Sequence, residues 1–401
     1  MATTAEQMRA WTGPAIFSFG FRPFFLGAAV WAAVAMLLWI PMLSGHLSLP
    51  TAFDPVSWHA HEFLFGYLAA VVAGFLLTAV PNWTGRLPIV GWPLAGLWSL
   101  WLAGRLVIAV SADLRPGVVA LVDLSFLAVF ALAIGREIVQ GRNWRNLIVL
   151  AMLTVLLAGN ALFHYEAARG DYAASGHGLR LGLGAAIMMI AVIGGRIVPS
   201  FTRNWLVRRG EGPLPVPPMQ SFDKVALVAL AAALLLWMLA PDAQMTGAML
   251  LVSAAMHLVR IARWTGHRTV AEPLVLVLHV GYGFLPLGAL AIGAEILWPG
   301  MLGMAAAQHL WMAGAVGLMT VAVMTRATLG HTGQALSAGP GTGIIYAAVI
   351  AATFARVAAG VWPGAAAWLH PIAGLAWIAA FSGFALAYGK LLLRLPPAKH
   401  L

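Results

Sequence analysis

The chain has 401 residues, of which 61% are hydrophobic and only 9% charged, whereas about a quarter of a water-soluble protein is charged. That scarcity excludes a soluble enzyme, a nucleic-acid binder and a disordered chain, and it makes the net charge of +10 first a matter of membrane topology. With no cysteine, disulfides, thiolate catalysis, iron–sulfur clusters, c-type haem attachment and thiolate-held copper are excluded too, so a bound metal must rest mainly on the twelve histidines.

A helix needs about 20 apolar residues to cross a roughly 30 Å hydrocarbon core. In chain order the sequence predicts twelve spans, at 24–43, 60–80, 92–111, 117–136, 146–165, 179–198, 223–240, 245–264, 273–295, 301–324, 341–361 and 366–392. Trp92-Pro93 and Trp362-Pro363 mark span ends of the kind found at membrane interfaces. The first span follows Arg9 and Arg22, has no small-residue cleavage site after it, and reads as a retained helix. Basic residues concentrate in alternate loops: Arg86, Arg136/Arg142/Arg145, Arg203/Arg208/Arg209, Arg260/Arg263/Arg268, Arg326, Arg394 and Lys399 share a side with both termini, against Arg115 and Arg169 on the other. The positive-inside rule then predicts a multi-pass membrane protein with both termini cytoplasmic. The only long polar stretch, 199–222, reads as a cytoplasmic linker inside a single transmembrane domain, 1–401. The partner expected from this is the lipid bilayer, with no nucleic acid. With no soluble domain visible, any electrons, ligands or protein partners must arrive from elsewhere, an electron donor being a separate molecule.

The ends of the second, sixth and tenth spans resemble one another: Val80-Pro81-Asn82-Trp83-Thr84, Val198-Pro199-Ser200-Phe201-Thr202 and Met324-Thr325-Arg326-Ala327-Thr328. Lying four spans apart, they suggest three four-helix units in an all-α polytopic membrane protein.

Ionisable groups inside a bilayer are expensive and mark interior or functional positions. An outer group comprises His59, His61, Glu62, Asp123, Asn160, His164 and His309. Asn160 and His164, four apart, share a helix face. His59 and His61, two apart, point about 200° from each other on a helix, so they serve different sides of it unless the helix starts after His59. Either each holds a cofactor, or one is a ligand and the other a hydrogen-bond partner, or both simply bond carbonyls at a helix start. Grouped at one depth, His59, His61, His164 and His309 are candidate metal or haem ligands. Glu62, with Asp123 behind it, is the candidate proton carrier. An inner group, His257, His279 and His331, is a second possible site, near Arg196 and Arg326. Arg105, Arg180 and Arg356 also lie within spans, and Asp123 or Glu62 can neutralise one of them.

Four segments carry a resemblance. They are Phe17-Ser18-Phe19-Gly20-Phe21-Arg22-Pro23-Phe24-Phe25; Trp58-His59-Ala60-His61-Glu62 with Gly74 to Gly85; Gly194-Gly195-Arg196-Ile197-Val198-Pro199; and Met324-Thr325-Arg326-Ala327-Thr328-Leu329-Gly330-His331-Thr332-Gly333. They resemble the signatures of the NnrS family, bacterial inner-membrane proteins of nitric-oxide metabolism. The resemblance implies a protein that handles nitric oxide with haem b, one or two, and copper or non-haem iron. It makes reduction of two NO to N2O the expected activity, with a non-catalytic NO-binding or protective haem protein as the alternative and a secondary transporter third. Within that expectation His61 and His309 are candidate haem ligands, His59 and His164 candidate ligands of a second metal, and Arg22, Arg196 and Arg326 candidate partners of haem propionates. The architecture is also similar to haem-copper oxidases, although the sixth and seventh spans here carry no histidine.

Overall fold

A computed structural model describes residues 11–210 and 212–394. Arg9, Glu211, Lys399 and His400 lie outside the described residues. Among the described residues, twelve helices are long and apolar enough to cross a membrane. They are α1 (Phe21–Leu43), α2 (Pro55–Thr84), α3 (Trp92–Ala109), α4 (Pro116–Gln140), α5 (Trp144–Ala168), α6 (His177–Arg209), α7 (Ser221–Leu239), α8 (Gln244–Ala262), α9 (Pro273–Leu297), α10 (Met304–His331), α11 (Pro340–Val361) and α12 (Pro363–Leu393). No strand occurs among the described residues, as expected where every backbone group must be satisfied within its own segment.

α2, α6 and α10 run well past the apolar stretches that define them. The predicted linker 199–222 is helical through Arg209, because Pro199 does not end α6, just as Pro81 does not end α2. Prolines are tolerated in membrane helices when neighbouring hydroxyls take up backbone bonding. Hydroxyls also bond the backbone along these segments, Thr78 and Thr84 to the carbonyls of Gly74 and Val80, Ser200 and Thr202 to those of Arg196 and Val198, though not to the carbonyls of Leu77 and Gly195 that the prolines leave free. The same three helices each contain a π-helical stretch, Glu62–Tyr67, Ile190–Gly194 and Leu310–Gly317. These wide turns recur every fourth span, in step with the repeated span ends.

The chain forms two compact units. One comprises the chain up to Gly182, Met324–Ala335 and the segment from Phe381; the other comprises Leu183–Val323 and Leu336–Ala380. In the first, α1 packs on α2, and α4 packs on α2, α3 and α5. In the second, α8 and α9 form the broadest contact, α7 packs on α8, and α10 on α9 and α11. Small residues set the closest approaches, the usual device for helix packing in lipid. A methyl group on Gly159 of α5 would lie 2.7 Å from the Gly182 nitrogen of α6. One on Gly247 of α8 would lie 3.0 Å from the Gly293 carbonyl oxygen of α9. Leu37, Leu121, Leu132 and Leu386 point outward, leaving an apolar outer surface suited to lipid.

Candidate functional site

α2 begins with Asp54, whose carboxylate accepts from the Val56 and Ser57 amides at 2.9 and 3.0 Å. The helix therefore starts before both histidines, and they fall on opposite sides of it. His59, half-buried, stacks on Trp39 of α1 with ring centroids 4.0 Å apart. His61 turns inward and is fully buried, as is Glu62. The π-helical stretch opens at Glu62, and a wide turn at such a position commonly accompanies a functional site.

Glu62 and His61 belong to one connected polar cluster drawn from α2, α3, α4 and α5. Arg105 of α3 donates from Nη1 to Glu62 Oε1 at 2.7 Å and from Nη2 to Asp123 Oδ1 of α4. Gly66 and Gly104 make room for this bridge: a methyl group on Gly66 would lie 2.4 Å from Arg105 Nη1, and one on Gly104 2.8 Å from Asp123 Oδ1. The other oxygen of Asp123, Oδ2, lies 3.2 Å from His61 Nε2 and 3.0 Å from His164 Nε2 of α5. It also accepts from Asn160 Nδ2 at 2.8 Å. His61 Nε2 is 3.1 Å from Asn160 Oδ1, and His61 Nδ1 is 3.1 Å from Glu62 Oε1. Two carboxylates, one guanidinium and two imidazoles thus meet in a region with almost no solvent exposure. Only mutual pairing makes such a gathering tolerable. One carboxylate atom stays outside it: Glu62 Oε2, buried, meets no donor among the described residues.

One nitrogen from His61, one from His164 and one oxygen of Asp123 all lie within 4.8 Å of one another. Two imidazoles and a carboxylate form the facial donor set of non-haem iron sites. Ligand bonds of about 2.1 Å at right angles place adjacent donor atoms about 3 Å apart, and the Asp123 oxygen stands 3.0 and 3.2 Å from the two imidazole nitrogens. The residues therefore fit a bare metal ion. They fit haem poorly at His61, whose ring is crowded by Phe53, Phe65 and Phe163 at 5.5 Å and by His164 at 5.1 Å.

The remaining predicted residues stand elsewhere. His309, half-buried in the second unit, places Nδ1 2.6 Å from the Ala305 carbonyl oxygen. A donor bond there leaves Nε2 as the lone-pair nitrogen, the tautomer an axial ligand needs. In the same unit His257 Nδ1 is 2.8 Å from the Tyr282 hydroxyl, and His279 Nε2 is 2.7 Å from the Thr202 hydroxyl. Arg260 completes this second buried group. It donates to Asp223 at 3.0 Å, to the Ala191 carbonyl at 2.9 Å and to Tyr282 at 2.7 Å. His331 lies in the first unit, its ring against Phe19 and Phe21. Arg196 and Arg326 are half-buried. Arg22 is fully buried at the start of α1.

Arg105 and Asn160 complete the cluster although neither was among the candidate ligands or proton carriers. Their signals were visible, an arginine inside a span and an amide four residues before His164. Their pairing across 18 to 99 residues of sequence was not.

Fold and site together define a polytopic helical membrane protein with a buried histidine–carboxylate cluster. A family model described as NnrS protein matches residues 15–395, nearly the whole chain, and the chain belongs to the NnrS family. It is accordingly a membrane protein related to nitric oxide. No individually curated protein matches it.

Proposed function

We propose that the protein handles nitric oxide at a metal ion held by His61, His164 and Asp123, and that it reduces two NO with two electrons and two protons to N2O and water. The observation that carries this reading is the buried set of two imidazoles and a carboxylate within 4.8 Å of one another, in a chain of this family. A metal there, iron or copper, supplies a binding point for NO and a place to receive electrons from a separate donor. Arg105 holds Asp123 and Glu62 in place by donating to both. Asn160 fixes the coordinating oxygen of Asp123. Glu62 accepts a proton at Oε2, the carboxylate oxygen left outside the bonded cluster, and passes it on from beside His61. NO is small and apolar, so it enters from the lipid and needs no polar channel. Haem b, where present, is assigned to His309, whose Nδ1 is anchored on the Ala305 carbonyl. The basic-residue pattern supports cytoplasmic termini, and membership of the family supports placement in a bacterial inner membrane.

The test is metal analysis of the purified protein together with anaerobic NO uptake and N2O release under a chemical reductant. Wild type is expected to carry metal and to release one N2O for every two NO consumed, and His164→Ala to lose both metal and turnover. A His164→Ala protein with full metal and full turnover sinks the assignment. NO taken up stoichiometrically without N2O selects the non-catalytic reading instead.

A further inference from the structure

Arg22 is the one member of the Phe17–Phe25 motif that carries charge, and it is fully buried. Its Nη1 is richly bonded, donating to the carbonyls of Leu391 and Leu392 at 3.0 Å and Arg394 at 2.8 Å, at the C-terminal end of α12. A cation is favoured there by the helix dipole. The opposite edge differs. Nε and Nη2 are both buried, and neither meets an acceptor among the described residues. Those two N–H groups point in parallel and form the fork by which arginine binds carboxylate and phosphate bidentately. Arg22 also has no carboxylate partner among the described residues, and a buried charge without a counter-charge is costly.

Two further observations concern the residues around Arg22 in sequence and the segment that packs on them. The family-like motifs pack on one another beside Arg22 in the chain: Gly20 against Leu77, Gly74 against Phe24 and Phe25, and the rings of Phe19 and Phe21 against His331. One helical turn before His331, Thr328 presents a second buried group, a hydroxyl oxygen with no partner among the described residues.

We infer that the Nε–Nη2 edge of Arg22 is a binding site for an oxyanion, the phosphate or carboxylate of a membrane-borne molecule or a free anion of that chemistry. The anion supplies both the two missing acceptors and the missing negative charge. This site is separate from the His61–Asp123–His164 cluster, to which Arg22 makes no hydrogen bond.

The test uses the purified full chain, wild type beside Arg22→Lys, which keeps the charge and reaches for the same carbonyls but lacks the bidentate fork. Arg22→Gln, which buries no charge and retains an amide donor, is the second variant where the lysine form does not accumulate. Native mass spectrometry reads co-purifying anions, and the adduct mass separates a phospholipid from a carboxylate-bearing molecule. Delipidated protein is then titrated with inorganic phosphate and with acetate against a chloride background. Wild type is expected to show a retained anionic adduct or saturable uptake of one of the two anions. The variants are expected to lose the adduct, or to bind the anion at least tenfold more weakly. A wild-type protein with neither adduct nor saturable uptake overturns the site, and so do variants that keep either one intact.

Discussion

Replacing Arg105 with glutamine leaves Glu62 and Asp123, both fully shielded, without the cation that joins them. Glutamine can restore at most one neutral donor bond where arginine supplied two charged ones. Removing one partner of a buried ion pair costs about 3–5 kcal/mol, because the other charge stays buried and unpaired. Here two carboxylates lose one guanidinium, so the upper half of that range is expected, a shift of roughly three to four powers of ten in the unfolding equilibrium. The assay is reversible unfolding in mixed micelles, titrated with a denaturing detergent, for wild type, Arg105→Gln, Glu62→Gln and the double variant. Glu62→Gln in the Arg105→Gln background deletes one of the stranded charges. It should recover about 1–3 kcal/mol, the coupling expected of contacting residues. Arg105→Gln within about 0.5 kcal/mol of wild type, the scatter of surface substitutions, would refute the reasoning. So would a double variant as unstable as the sum of the two single ones.

Three further outcomes follow from local geometry and are checked by the same unfolding measurement. Gly195→Ala places a methyl group 2.2 Å from Arg260 Nη2 and should cost about 1–3 kcal/mol, as overpacking of a filled interior does; a neutral result means that Arg260 moves aside freely. Tyr282→Phe removes the hydroxyl that accepts from Arg260 and faces His257 Nδ1. Leaving buried groups unpaired should cost about 1–3 kcal/mol, with a smaller loss when His257 is also changed to Phe. Asp54→Ala removes the cap from two amides at the start of α2 and should cost about 0.5–2 kcal/mol, with Asp54→Asn close to wild type.

Hydropathy alone determined that twelve helices exist and that polar residues inside them stand out, because crossing lipid imposes a length and a composition on every segment. It also placed His61, Asp123 and His164 at one depth, since depth is a count of residues along each span. α2, α6 and α10 run past their apolar stretches by up to eleven residues, from 198 to 209 in α6, because a proline or a polar run looks like a stop in sequence although the helix continues through it. Only the tertiary structure decided which depth-matched groups meet. Rotation of each helix about its axis sends His61 to Asp123 and His59 to Trp39, and brings Arg105 between two carboxylates from different helices. That rotation is set by packing against neighbours, through contacts such as those of Gly66, Gly104 and Gly159. The order of apolar and polar residues along a helix cannot report it in a chain whose outward face is as apolar as its core.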